Sequence, residues 1–483
     1  MRLSAFKAAA AALFPVLALS TSSAWANELV NVYRLAADND AQIAAAAHQR
    51  DAALEARPQA RAALLPLISG SYSYGKGHSI GSQEQISEIG VPITDSSGNP
   101  VDADGDGRQD TELRPTPIGR RFNTNDTNKN LNISLTQPLF DWASFLRLSK
   151  SADQLALAQA SFRAAEQNLL LRSAQAYFNY LAANDDLRYT GARKASLERQ
   201  LEQAKKRFDV GLSAITDVQE AQASYDVTTA DVIAAEQALA SAREALLEVT
   251  GQQDARLVAL QEEIPLPGPQ PEDMNAWLSS AKDNNFDLAI ARINAELAGR
   301  DVDIARAGHY PTLNLVGQYT DISQDSKERK SEIGDFYQEN RGPSVAVQVN
   351  VPIFSGFLVN SQTRQAANVE DQRKAELLGS QRSVARQTRD AYLKVLSGSA
   401  RVKALKQAVI SNQTALQASE TGLEVGTRTT VDVLNAQSLL FSAQRDYARA
   451  RYDYLVSILT LKSAAGRLTE SDLAEIDQLL VSG

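Results

Sequence analysis

Four aspartates, Asp102, Asp104, Asp106 and Asp110, are the first group whose types and spacing could do chemistry. They fall at positions 1, 3, 5 and 9 of an EF-hand-like loop with Gly107 at position 6, a set of hard oxygen donors suited to calcium. Position 12, where a bidentate Glu belongs, is Leu113, and Glu112 stands one residue early. The stretch therefore reads as a solvated acidic loop, with a structural calcium as the sharper alternative. The three histidines, His48, His78 and His309, have no metal-ligand spacing to one another, and the chain has no cysteine. No Ser/His/Asp constellation and no phosphate-binding glycine loop is present. The expectation is a protein that is not an enzyme and carries no cofactor beyond that one candidate ion.

The second group is ionic and lies in a turn that occurs twice. Val210-Gly-Leu-Ser-Ala-Ile-Thr-Asp-Val-Gln-Glu-Ala-Gln222 is matched by Val425-Gly-Thr-Arg-Thr-Thr-Val-Asp-Val-Leu-Asn-Ala-Gln437. Gly211 and Gly426 suit the left-handed residue just past a helix end. The Ser and Thr that follow are ready N-caps, and Asp217 and Asp432 suit the positive end of a new helix dipole. Each copy reads as a helix-turn-helix hairpin. By itself, such a carboxylate is a helix-dipole residue contributing about 0.3–1 kcal/mol.

The elements that position these residues follow from the period of the apolar side chains. Residues 1–26 read as a secretory signal, with Arg2 and Lys7, an apolar run centred on Leu13 to Leu19, and a small-x-small site at Ala24-Trp25-Ala26. Losing those two cations takes the formal charge from −9 to −11, which argues against nucleic acid as a partner. No later stretch approaches 18 consecutive apolar residues, so no transmembrane helix is expected after the signal. Repeat one, 27–263, reads as helix 39–63, strands 66–76 and 131–137 around a long loop 77–129, long helix 143–208, the turn, and helix 217–249. The Pro/Gly cluster 264–271 is a linker. Repeat two, 272–468, reads as helix 286–308, strands 312–320 and 344–351 around loop 321–343, long helix 357–423, the turn, and helix 431–465, with 469–483 as a tail. Each long helix would run about 100 Å at 1.5 Å per residue. The two short helices beside it are together of similar length, so they can stack end to end against it. Leu148, Leu155, Phe162, Leu169, Ala176, Leu197 and Ala204 keep a seven-residue line of coiled-coil type. Gly191, Gly379 and Gly398 count against straightness.

The strands alternate apolar and polar residues, as in Leu313, Leu315 and Tyr319 against Asn314, Gln318 and Thr320. About ten residues suit a tilted bilayer crossing, and one apolar face with one polar face is the lipid-out, lumen-in pattern. An open edge cannot stand in hydrocarbon, and four strands cannot close a barrel. The chain must therefore oligomerise. Since eight strands fill their own interior, a conduit needs twelve and hence three copies. Tyr72, Tyr74 and Tyr319 on the apolar faces, with Phe140, Trp142 and Phe354 at strand ends, are the expected aromatic girdle.

Several segments together resemble the TolC family of outer-membrane channel proteins. They are Gln137-Pro-Leu-Phe140, Ala174-Gln-Ala-Tyr-Phe178, Arg207-Phe-Asp-Val-Gly211 with Ala214-Ile-Thr-Asp-Val218, His309-Tyr-Pro-Thr312, Val425-Gly-Thr-Arg-Thr-Thr-Val-Asp-Val-Leu434, Ala450-Arg-Tyr-Asp-Tyr-Leu455 and Leu461-Lys-Ser-Ala-Ala-Gly466. The resemblance spans about 29–479. It implies an α+β membrane protein: a homotrimer whose twelve-stranded β-barrel lies among outer-membrane lipid and continues as a periplasmic α-helical barrel. It also implies an exit duct for efflux or type I secretion, served by a periplasmic adaptor and an inner-membrane translocase. The resemblance places the gate at the two turns, with Asp432 and Asn435 at the positions of an acidic constriction ring and Arg428 tied to Asp217. Asn435 halves the ring charge, and Leu423 replaces a Tyr of the latch. The competing expectation is a periplasmic coiled-coil scaffold without a pore, which would have no use for four strands with lipid-suited faces.

Overall fold

The computed structural model describes residues 28–252, 258–261, 263–328 and 336–480. The expected signal at 1–26 lies outside them. In chain order the elements are α1 (Glu28–Asn39), α2 (Ala41–Leu54), α3 (Ala56–Ala62), β1 (Leu67–Pro92), β2 (Thr111–Phe140), α4 (Trp142–Asp209), α5 (Ile215–Thr250), α6 (Met274–Asn284), α7 (Phe286–Arg306), β3 (Thr312–Glu328), β4 (Phe336–Asn350), α8 (Leu358–Glu424), α9 (Thr430–Ala464) and α10 (Glu470–Asp477). Two compact units divide the chain. One holds Ala56–Ala152 and Arg300–Ala367; the other holds the stretch up to Glu55, Asp153–Gly299, and the chain from Asn368 onward.

The first unit is built on an antiparallel meander in the order β1-β2-β3-β4. Among the described residues, β1 and β4 each pair on one side only. The strands are longer than alternation predicts, and this corrects the loops expected at 77–129 and 321–343. β1 pairs with β2 without a break from Leu67↔Thr136 to Pro92↔Thr111, leaving only a short tip. The backbone ladder needs no apolar side chains, so it runs on through Ser, Gly, Asn and Thr. Period-two hydrophobicity marks only the part of a strand that has an apolar environment on one side. Among the described residues, β2 pairs with β3 as far as Thr124↔Glu328. From Asn123 to Thr111 its described partner is β1 alone, and Pro115 and Pro117 fall in this part, where a missing N–H costs a third described strand no ladder bond.

The second unit is helical. Leu29, Val30 and Val32 of α1, Tyr177 and Phe178 of α4, Tyr392 and Val395 of α8, and Tyr454, Leu455 and Leu459 of α9 share one buried cluster. The expected helix 39–63 is instead two helices, α2 and α3, with Asn39 the last residue of α1: Asp40 accepts from the Ile43 N–H and so starts a new helix at Ala41. The side chain of Asp477, in the expected tail, accepts from the Leu29 and Val30 N–H groups at 2.8 and 3.0 Å and so caps α1. Burial pushes the Asp477 carboxyl above its ordinary value. The linker is strapped down rather than loose: Trp277 donates to the Pro271 carbonyl at 2.8 Å, and the Tyr454 hydroxyl donates to that of Pro267. Gly191, Gly379 and Gly398 do not interrupt α4 or α8. No helix among the described residues is long and apolar enough to cross a membrane.

Candidate functional site: an apolar band and two capped turns

Register aligns the apolar side chains of the four strands into rows across the sheet. Ile68 faces Leu135, Leu135 faces Gly317, and Gly317 faces Val345. The next row is Gly70, Ile133, Tyr319 and Pro343. Below them lie Leu315 with Val347 and, past a bulge at Pro138/Phe140, Leu313 with Val349. Val345, Val347 and Val349 are 75, 61 and 62 % exposed, and Ile68 is exposed as well, while Leu135, Leu313 and Leu315 of the middle strands are partly covered, so the band is open most fully at the two outer strands. The other face carries Ser69, Asn132, Ser134, Gln318 and Gln348, and the Ser69 and Ser134 hydroxyls bond at 2.7 Å.

The band has aromatic rims. Tyr72 and Tyr74 stand exposed at one border, with Tyr319 partly covered close by; in their rows the same face turns charged, with Asp321 and Arg341 in line with Tyr72 and Lys129 opposite Tyr74. Phe140, Trp142 and Phe354 stand exposed at the other border. Phe357 packs edge-on against Phe354 with ring centroids 5.6 Å apart. From Leu131 to Phe140 the band spans about ten residues, the length of one tilted bilayer crossing.

The two turns close by the same backbone pattern. In the first, the Leu212 N–H reaches the Arg207 carbonyl at 2.8 Å and the Gly211 N–H reaches that of Phe208 at 2.9 Å. In the second, the Thr427 N–H reaches Gly422 at 2.8 Å and the Gly426 N–H reaches Leu423 at 3.2 Å. These are Schellman closures, with Gly211 and Gly426 at φ 76° and 82° where a Cβ would be strained. The helices that follow start differently. α9 begins with a reciprocal box in which the Thr429 hydroxyl accepts from the Asp432 N–H while the Asp432 carboxylate accepts from the Thr429 N–H at 2.9 Å. α5 begins at Ala214 with no side-chain cap, so Ser213 does not cap it.

The ionic residues of the turns are not all brought together within one chain. Arg428 Nη1 lies 4.0 Å from Asp432, four residues on, with both side chains well exposed. Asp217 sits at the equivalent third position of α5, and among the described residues it has no ion pair in its own chain. The Asp432 carboxylate is turned back onto Thr429, whose N–H and hydroxyl hold its pKa below the ordinary carboxylate range. Asn435 is exposed one turn further along the same face. Leu423 packs against the cluster of Leu416, Val433 and Leu440; the first hairpin has its counterpart in Leu201, Ala204, Val218 and Ala221.

Sequence reasoning missed two features of these hairpins. A run of polar contacts joins α4 to α9: Asp185 with Tyr452, Asp186 with Arg445, and Ser196 with Gln437. Tyr and Gln on a heptad line give no signal of a cross-helix partner. Gly422, inside α8, is the second.

At the ribbon tip, carboxylate oxygens of Asp102, Asp104 and Asp106 lie within 4.8 Å of one another, all on exposed residues. Asp102 is engaged by backbone, accepting from Gly105 and Gly107 at 2.8 Å each, and the Gly107 N–H leads in holding its pKa down. Asp110 does not join the three; it accepts from the Ala103 N–H at 2.7 Å.

The profile of the family described as outer membrane efflux protein matches residues 32–260 and 277–467. The outer membrane protein TolC of Vibrio cholerae is 34 % identical over 467 residues, covering 96 % of this chain and 97 % of that protein. The alkaline protease secretion protein AprF of Pseudomonas aeruginosa is 30 % identical over 469 residues, covering 97 and 90 %. A crystal structure of a membrane protein from Pseudomonas aeruginosa superposes with a TM-score of 0.70 at 20 % identity, covering 91 % of this chain and 90 % of that one, which shows a shared fold.

Proposed function

Because the chain belongs to the outer membrane efflux protein family, we propose that it works as a homotrimeric exit duct gated at its two turns. It is an outer-membrane channel for efflux or secretion with a periplasmic portion, not an enzyme. The assembly rests on one observation: a four-stranded sheet with an exposed apolar band and, among the described residues, an outer strand at each side that pairs along one edge only. Hydrocarbon offers the outer edges of β1 and β4 no hydrogen bonds, so each must find a strand of another copy. Three copies give twelve strands, the polar faces of which line a passage too wide to be filled by side chains. The loop tips lie outside the cell, as long loops of bacterial barrels do. A periplasmic adaptor and an inner-membrane translocase deliver the cargo.

Gating is assigned to Asp217, Leu423, Arg428, Asp432 and Asn435. Arg428 supplies the latch cation, with Asp217, which has no ion pair among the described residues of its own chain, as its partner in the assembly. Asp432 and Asn435 face the passage. The experiment is a mass measurement in detergent joined to planar-bilayer recording of the same preparation. A trimer of low conductance at rest supports the proposal. A water-soluble, non-conducting monomer would return the protein to the scaffold reading.

A further inference from the structure

We infer that Gly422 is a positioning residue for the gate, acting through Arg428. The inference rests on the proposed gate and names a residue beyond it. Gly422 lies within α8, two residues before its end, with an ordinary helical backbone. Glycine is the poorest helix former after proline, so a glycine at such a place asks for a packing reason. The structure supplies one. A Cβ on Gly422 would stand 2.6 Å from Arg428 Cγ and 3.1 Å from Arg428 Cβ. The stem of Arg428 therefore lies directly over the bare backbone of Gly422.

The same residue fixes where Arg428 starts. The Gly422 carbonyl accepts from the Thr427 N–H at 2.8 Å, the Arg428 N–H at 3.1 Å and the Thr427 hydroxyl at 3.2 Å. Gly422 is itself buried, beneath an arginine that is 59 % exposed. One peptide unit thus holds the backbone of the latch residue, and its missing side chain leaves the path along which the guanidinium leaves the turn.

The first turn shows that the closure itself does not need glycine here. The residue equivalent to Gly422 is Arg207, whose carbonyl accepts the matching bond from Leu212. The residue equivalent to Arg428 is Ser213. The two turns thus share a backbone and invert the sizes of one pair, large then small in the first and glycine then arginine in the second. Gly422 answers to Arg428, not to the turn.

The test compares Gly422→Ala, Arg428→Ala and the double variant, each as the full-length assembled protein in planar bilayers at low and high salt. Arg428→Ala raises resting conductance by about 3-fold or more, as expected if three exposed ion pairs are lost. Gly422→Ala raises it in the same direction and shows the same loss of salt sensitivity. In the Arg428→Ala background it adds little, because Cγ, the one atom closer than 3.0 Å, is gone and only the contacts at 3.1 and 3.2 Å with the residue 428 Cβ and the Thr427 hydroxyl remain. If Arg428→Ala leaves conductance unchanged, the gate assignment fails and this inference goes with it. If Arg428→Ala acts but Gly422→Ala is silent, or the two add in full, the gate stands and the role of Gly422 is refuted. Should Gly422→Ala fail to assemble, the double variant decides. Its assembly shows that the clash with the Arg428 stem was the cause. Its failure shows that Gly422 serves something other than Arg428, which overturns the inference.

Discussion

The Tyr452 hydroxyl on α9 donates to the Asp185 carboxylate on α4 at 2.8 Å, with both side chains buried. Arg188 closes on the same carboxylate at 3.1 Å. Burial first, and the facing carboxylate second, push the Tyr452 phenol far above its ordinary pKa, so it remains a donor throughout the physiological range. This bond ties one hairpin of the chain to the other at a level where neither can shift without leaving a buried charge short of a partner.

Tyr452→Phe keeps the ring and removes the donor. A hydrogen bond to a charged group is worth about 1.5–3 kcal/mol. The thermal midpoint of the purified protein should fall accordingly, and it should fall less in an Asp185→Asn background, where the acceptor is no longer charged.

Arg428→Ala should raise single-channel conductance, more at low salt than at high. Exposed pairs contribute about 0.2–1 kcal/mol each, and three copies would bias closure by about 0.6–3 kcal/mol. In the proposed gate that range is too small for the whole lock, and Leu423 with its cluster is assigned the rest, so Leu423→Ala should raise conductance as well.

Asn435→Asp should increase cation preference and block by multivalent cations, since it doubles the carboxylates in the first turns of each α9. Reversal potentials under a salt gradient read the change directly.

The cap at the start of α9 has a pH signature. Asp432 has a depressed folded pKa, so its contribution is complete above the ordinary carboxylate value of about 3.9 and is lost as pH falls through the folded value. The difference in thermal midpoint between the wild type and Asp432→Asn should be constant near neutrality and close up only in strong acid.

The sheet faces can be told apart by one pair of neighbours. Val347→Arg places a charge in the middle of the apolar band, at a cost of about 2–4 kcal/mol, and should cut the yield of assembled protein. Gln348→Arg, one residue on and on the polar face, should assemble normally and alter ion selectivity.

The fold was legible wherever one physical requirement leaves a periodic trace. The apolar rows of Leu313, Leu315 and Tyr319 and of Val345, Val347 and Val349 marked the band, and the repeated glycine of Gly211 and Gly426 marked both turns. The reach of β1 and β2 was not legible, because a ladder of Ser, Gly and Asn is held by backbone that every sequence shares. The break at Asp40 was missed for a related reason: an alanine-rich stretch hides a cap that only its bond to Ile43 reveals. At the proposed gate, residue types were readable one by one. Partners such as Asp185 with Tyr452 were not, since they lie hundreds of residues apart and follow no spacing.

Among the described residues, β2 has both β1 and β3 beside it as far as Thr124 and β1 alone from Asn123 to Thr111. In the proposed barrel, a change in the part shared by all four strands alters shear and bore for every neighbour at once. The exposed tip at Ser97-Gly98 stands at the far end of the ribbon from Ile80↔Asn123 to Pro92↔Thr111, so it can lengthen, shorten or carry a foreign peptide while the apolar band keeps its register. What the tip displays can thus change without disturbing what the band must match.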